Sequence, residues 1–109
     1  MAVLDINTEN YQSAIVDNDQ PAIIDFWATW CPHCKRIAPV YEKLAGEYEG
    51  SLTFGRVDAD EVPALTEQFG VEYLPTFVVL DKDGKALDSV IAPAGKAALQ
   101  EFINKNLGI

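Results

Sequence analysis

The clearest pattern in the chain is a run with no polar face. Ala22 to Ala28 reads Ala-Ile-Ile-Asp-Phe-Trp-Ala, apolar on both sides as a central strand covered by helices should be. Asp25 is its one exception. Downstream, Ile37, Val40, Tyr41, Leu44, Ala45 and Tyr48 recur at intervals of three and four, which predicts a helix from Pro32 to about Tyr48. Pro39 inside it removes a donor and should bend it, and Gly50 is placed to cap it. Leu52 to Val57 reads as a second inner strand with Arg56 near its end, and Thr76 to Leu80 as a third. Val3 to Ile6 makes a short edge strand. Asn7 and Thr8 are capping types ahead of Tyr11, Ile15 and Val16, and Asp17-Asn18-Asp19 ends that segment. Glu61 to Phe69 predicts a short helix, with Pro63 in its first turn and Gly70 after it. Asp81 to Lys85 carries the Asp-Gly pair of a hairpin turn into a strand from Ala86 to Ile91. A last helix runs from about Gly95 to Asn106 on Ala98, Leu99, Phe102 and Ile103. The order β-α-β-α-β-α-β-β-α predicts a small α/β fold with a sheet between helices.

Composition narrows the function. A chain of 109 residues that is 49% hydrophobic can bury one core, so residues 1–109 are expected to form one domain. Seventeen Asp and Glu against eight Lys and Arg give a net charge of −9. That field repels phosphate backbones and anionic lipid, which argues against nucleic-acid and membrane partners. The first residues lack the basic and apolar regions of a signal peptide, and no run approaches the roughly 20 apolar residues of a membrane span. A cytoplasmic protein is therefore expected.

The candidate chemistry lies in Trp30-Cys31-Pro32-His33-Cys34-Lys35, which holds both cysteines and the only histidine. It falls where the central strand hands over to the long helix. With Pro32 in the first turn, Cys31 sits at the helix N-terminus, where unsatisfied N–H groups and the dipole favour a thiolate. Cys34 follows on the same helical face, close enough to close a disulfide. An exposed Cys31 would attack a disulfide, and a deeper Cys34 would resolve the mixed disulfide. A zinc site needs about four ligands, more than two thiols and His33 supply unless a dimer shares it. A structural disulfide closing so short a loop would constrain almost no chain entropy. Asp25, inside an apolar strand, costs several kcal/mol unless paired, protonated or at a wet strand end.

Phe26-Trp27-Ala28-Thr29-Trp30-Cys31, Lys35, Ala38-Pro39 and Leu74-Pro75-Thr76 resemble the thioredoxin family in order and spacing along the whole chain. The resemblance implies the thioredoxin fold, a central five-stranded mixed sheet flanked by four helices. It implies Cys31 as nucleophile, Cys34 as resolving thiol and a redox disulfide between them. Asp25 matches the family's buried carboxylate, a proton acceptor for Cys34 through water. Pro75 matches its cis-proline, with Leu74 offering backbone to a substrate and Trp30 and Tyr73 walling the groove. Protein or small disulfides are the implied substrates and a thioredoxin reductase-like protein the recycling partner. No cofactor is called for, and a monomer is expected.

Several positions depart from that pattern. Arg56 stands where the family usually has lysine and, never giving up its proton, should hold Asp25 more firmly ionised. Pro32-His33 replaces Gly-Pro, so the tetrapeptide resembles the centre of the strongly oxidising DsbA enzymes, whose helical insertion has no room here. Tyr73 replaces a small residue, and Ala92, followed by Pro93, replaces a glycine; both reshape the groove. His33 could give a hydrogen bond or a charge to the Cys31 thiolate and nothing comparable to the disulfide. About 2–4 kcal/mol of such stabilisation would move the couple from about −270 mV to roughly −220 to −190 mV. The expectation is thus an oxidising thiol–disulfide oxidoreductase that favours isomerisation or disulfide formation. A conventional reductase is the alternative, and a non-catalytic binding module is the rival from another class.

Overall fold

A computed structural model describes residues 3–108. Its five strands are β1 (Val3–Asp5), β2 (Ala22–Trp27), β3 (Thr53–Asp58), β4 (Thr76–Leu80) and β5 (Ala86–Ile91). They form one sheet in the order β1-β3-β2-β4-β5. The β1–β3 and β3–β2 pairs are parallel; β2–β4 and β4–β5 are antiparallel. The helices are α1 (Pro32–Glu47), α2 (Pro63–Gln68), α3 (Lys96–Leu107) and a short π-wound segment, Gln12–Val16. This is the five-stranded mixed sheet with four helices that the resemblance implied.

Strand alternation divides the core in two. Ile23, Phe54, Phe77 and Val79 pack with Ile37, Tyr41 and Leu44 of α1 and with Leu99, Phe102 and Ile103 of α3. Ile24, Phe26, Val57, Val78 and Leu80 pack on the other face with Ile15 and Leu65. β2 is covered on both faces, which is why its sequence shows no polar side. Asp25 takes its place on the α1 face, between Ile23 and Trp27.

Element ends differ from the periodicity where side chains capture backbone. Asn7 Oδ1 accepts from the N–H groups of Glu9 and Asn10, so Asn7 holds a turn and caps no helix. Asp58 Oδ1 accepts from the N–H groups of Asp60 and Glu61, which delays α2 to Pro63. α1 runs through Pro39 and stops at Glu47; Gly50, at φ +88°, takes the following turn rather than the cap. In the β4–β5 hairpin, Asp81 Oδ1 accepts from Asp83 and Lys85 N–H, and Gly84 adopts φ +86°.

Gly55 in β3 leaves no room for a side chain. A Cβ there would lie 2.8 Å from Cγ1 of the buried Ile6. Gly55→Ala is expected to cost about 1–3 kcal/mol through overpacking, read as a lower urea midpoint with an unchanged slope.

Candidate active site

β2 ends at Trp27, and the chain turns through Ala28 to Trp30 before α1 begins. The Cys31 N–H donates to the Ala28 carbonyl at 3.2 Å. Cys31 then caps α1 with extended backbone, φ −95° and ψ 106°. Its Sγ accepts from the Cys34 N–H at 3.2 Å. Pro32 fills the first helical position, where a missing N–H costs no bond. Cys31 and Cys34 form a disulfide with their Cα atoms 5.3 Å apart. An exposed Cys31 over a deeper Cys34 is not what the disulfide state presents: the two are 4% and 2% exposed. Trp27, Ala28 and Leu74 pack around both.

Asp25 is 3% exposed, and its Oδ1 has no hydrogen-bond partner. Burial pushes its carboxyl up from 3.8 to about 7, and Arg56 opposes this only in part. Arg56 therefore does not keep Asp25 firmly ionised, although the two residues are direct neighbours in the β2–β3 register. Its Nε donates instead to Asp5 Oδ1 at 2.6 Å, and its guanidinium lies 5.8 Å from the Trp27 ring centroid. Tyr41, hidden in the helical stripe of the sequence, also belongs to this buried polar layer. Its hydroxyl lies 2.7 Å from the Gly55 carbonyl and 3.0 Å from that of Ile23. Burial, and then the Asp25 charge, raise its pKa well above the usual phenol value. A hydroxyl amid apolar stripe residues was the one available signal.

The groove residues meet from distant parts of the chain. The His33 Nε2–H donates to the Pro93 carbonyl at 2.9 Å, tying the start of α1 to the loop after β5. In that loop Ala92 has φ +48°, and its N–H donates to the Pro75 carbonyl at 2.8 Å. The Leu74–Pro75 peptide bond is cis. Trp30 and Tyr73 stand 65% and 63% exposed and line one cleft together with Leu74. Trp30 Nε1 donates to Asp60 Oδ2 at 2.7 Å. No spacing in the sequence pointed to Asp60. Among the described residues, no three His, Cys, Asp or Glu side chains are grouped to hold a metal ion.

The thioredoxin family model matches residues 2–105. The chain belongs to the thioredoxin family. It is 41% identical over 109 residues to the thioredoxin of Staphylococcus saprophyticus, covering 98% of this chain and 100% of that one. The thioredoxin of Haemophilus influenzae is 37% identical over 105 residues, 96% of this chain and 97% of the other. That of Porphyra purpurea is 31% identical over 105 residues, with the same two shares. The Cys31–Cys34 pair is thus the Cys-x-x-Cys centre of a thioredoxin-type thiol–disulfide oxidoreductase. The relatives' names do not support the preference for isomerisation or oxidation.

The raised Asp25 pKa carries a definite pH signature. Well below pH 3.8 the carboxyl is protonated in folded and unfolded chain alike, and its charge costs nothing. Between 3.8 and about 7 only the unfolded chain releases the proton, so stability falls as pH rises. Above about 7 the full penalty stands, on the order of 4 kcal/mol for a three-unit gap. Asp25→Asn in the disulfide form is expected to be about 2–4 kcal/mol more stable at pH 8. Urea denaturation should show that gain fading towards pH 4.

Proposed function

We propose that the protein is a general disulfide reductase, working by two successive thiol–disulfide exchanges. Cys31 as thiolate attacks one sulfur of a substrate disulfide, forming a mixed disulfide and releasing one substrate thiolate. Cys34 passes its proton to Asp25 through water and attacks the Cys31 sulfur, releasing the second thiolate. The Cys31–Cys34 disulfide is the oxidised product. Two electrons and two protons from a dithiol donor, a thioredoxin reductase-like partner, restore it. A reducing compartment such as the cytoplasm suits this cycle. The carboxyl of Asp25, titrating near pH 7 with an unpartnered oxygen, suits reversible proton transfer. Trp30, Tyr73, Leu74 and the Ala92-Pro93 loop are the groove for the substrate, with Pro75 beside the dithiol.

One observation carries the direction. The His33 Nε2–H is given to Pro93, so that donor does not serve the Cys31 sulfur. We assign the stabilisation of the reduced state chiefly to the N-terminus of α1. An isomerase- or oxidase-like couple is the second reading and rests on the Cys-Pro-His-Cys tetrapeptide.

Equilibration with glutathione is expected to give a potential near −270 mV, whereas roughly −220 to −190 mV would establish the second reading. His33→Leu should move the potential by less than about 30 mV, the equivalent of a tenfold change in the equilibrium constant. Cys34→Ser should accumulate mixed disulfides at Cys31. Partner binding that survives Cys31→Ser with no loss of function would point to a docking module instead.

A further inference from the structure

The dithiol lies between two flanks of opposite charge. From Val57 to Tyr73 the chain carries five carboxylates, Asp58, Asp60, Glu61, Glu67 and Glu72, and no lysine or arginine. Ion pairs among the described residues use Asp5, Glu47 and Asp88 instead. On the other flank, towards the loop after β5, stands exposed Arg36 on α1, beside His33. The acidic flank contains a cleft of about 390 Å³. Exposed Trp30 and Tyr73 wall it, half-buried Val71 and Leu74 supply apolar surface, and Asp60 and Glu72 line it. Leu74, which lines the cleft, also packs on the Cys31–Cys34 pair, so the cleft adjoins the dithiol.

We propose that this cleft is a subsite for a lysine or arginine side chain of the substrate protein, close in sequence to the cysteine under attack. The proposal rests on the reductase reading and names a feature of its substrates. A long cationic side chain uses each part of the cleft. Its methylene stem lies against Val71 and Leu74, its charge faces the aromatic rings, and its N–H groups reach the carboxylates. The Trp30–Asp60 hydrogen bond holds one wall in place and leaves Asp60 Oδ1 for the ligand. A purely apolar side chain would strand two carboxylates against a covered surface, and an acidic one would meet like charge with no cation at hand. Charge complementarity therefore orients the substrate across the dithiol, with its basic side towards Tyr73 and Glu72.

The test uses the full chain and two-cysteine peptides that differ only in carrying Lys, Leu or Glu within two residues of the cystine. Bis(2-hydroxyethyl) disulfide serves as the uncharged reference. At about 0.02 M salt, kcat/KM for the Lys peptide should exceed that for the Glu peptide by roughly three- to thirtyfold, with Leu between them. The ratio should shrink towards about two at about 0.5 M salt. Glu72→Lys should abolish or invert the preference. Glu101→Lys on α3, with the same change in net charge, should leave it in place. A Leu peptide better than the Lys peptide, or equal responses to the two variants, overturns the subsite. A ratio of about one alongside brisk turnover of the reference disulfide overturns the subsite alone. No turnover of the reference overturns the reductase reading and the subsite with it.

Discussion

The N–H of Cys34 meets the sulfur of Cys31 at the first turn of α1, and the sheet is ordered so that other groups can reach that sulfur. β2 is the central strand of five, and its C-terminal end delivers Cys31. β3 runs parallel to β2 and ends with Asp58 opposite Trp27, which brings Asp60 to Trp30. β4 runs antiparallel and begins with Thr76 opposite Phe26, which puts Leu74 and Pro75 at the same edge. β5, antiparallel again, returns Ile91 beside Thr76 and sets Ala92 and Pro93 there. One mixed sheet thus gathers the ends of four strands around one helix N-terminus, the place where a sulfur anion is best accommodated.

That arrangement carries an energetic cost in the layer beneath. A carboxylate in β2 has no hydrogen bond for one oxygen, and the nearest cation in the register is diverted to Asp5. Apolar replacement at Asp25 would pack better, so its presence marks a conflict between local stability and chemistry of the kind expected at a functional site. The conflict is confined. Around it the Tyr41 hydroxyl is shared between two strand carbonyls, and Phe54 and Phe77 pack tilted against the Tyr41 ring at centroid distances of 5.0 and 5.3 Å. The rigid aromatic layer lets one proton-binding group sit poorly solvated without loosening its surroundings.

What could be read from the residues was whatever depends on near neighbours. Apolar runs and helical stripes locate the strands and helices, and a proline after a cysteine marks a helix start. A lone carboxylate in an apolar run marks a site. At the site, the failures concern partners far apart in sequence. Arg56 finds Asp5 across 51 positions because β1 and β3 are adjacent, and no periodicity encodes strand order. His33 finds Pro93 across 60 positions and Trp30 finds Asp60 across 30. Asp58 and Asn7 shift element ends through side-chain bonds to backbone, which compete with helix initiation at a scale propensity does not resolve.

The proposed direction of the exchange rests on the same long-range contacts. A dithiol becomes oxidising when its reduced form gains stabilisation that its disulfide lacks, and a nearby N–H or positive charge supplies it. His33 was the candidate, and its Nε2–H is committed to Pro93. Arg36, beside His33, favours a thiolate from one flank, while Asp60 and Glu72 oppose it from the other. Exposed charges on both sides are screened by salt, so neither flank overrides the N-terminus of α1. The tetrapeptide taken alone suggests a strong oxidant. On the proposed reading, its setting in this fold, with the imidazole tied to the β5–α3 loop and an acidic wall alongside, gives it the balance of a reductant.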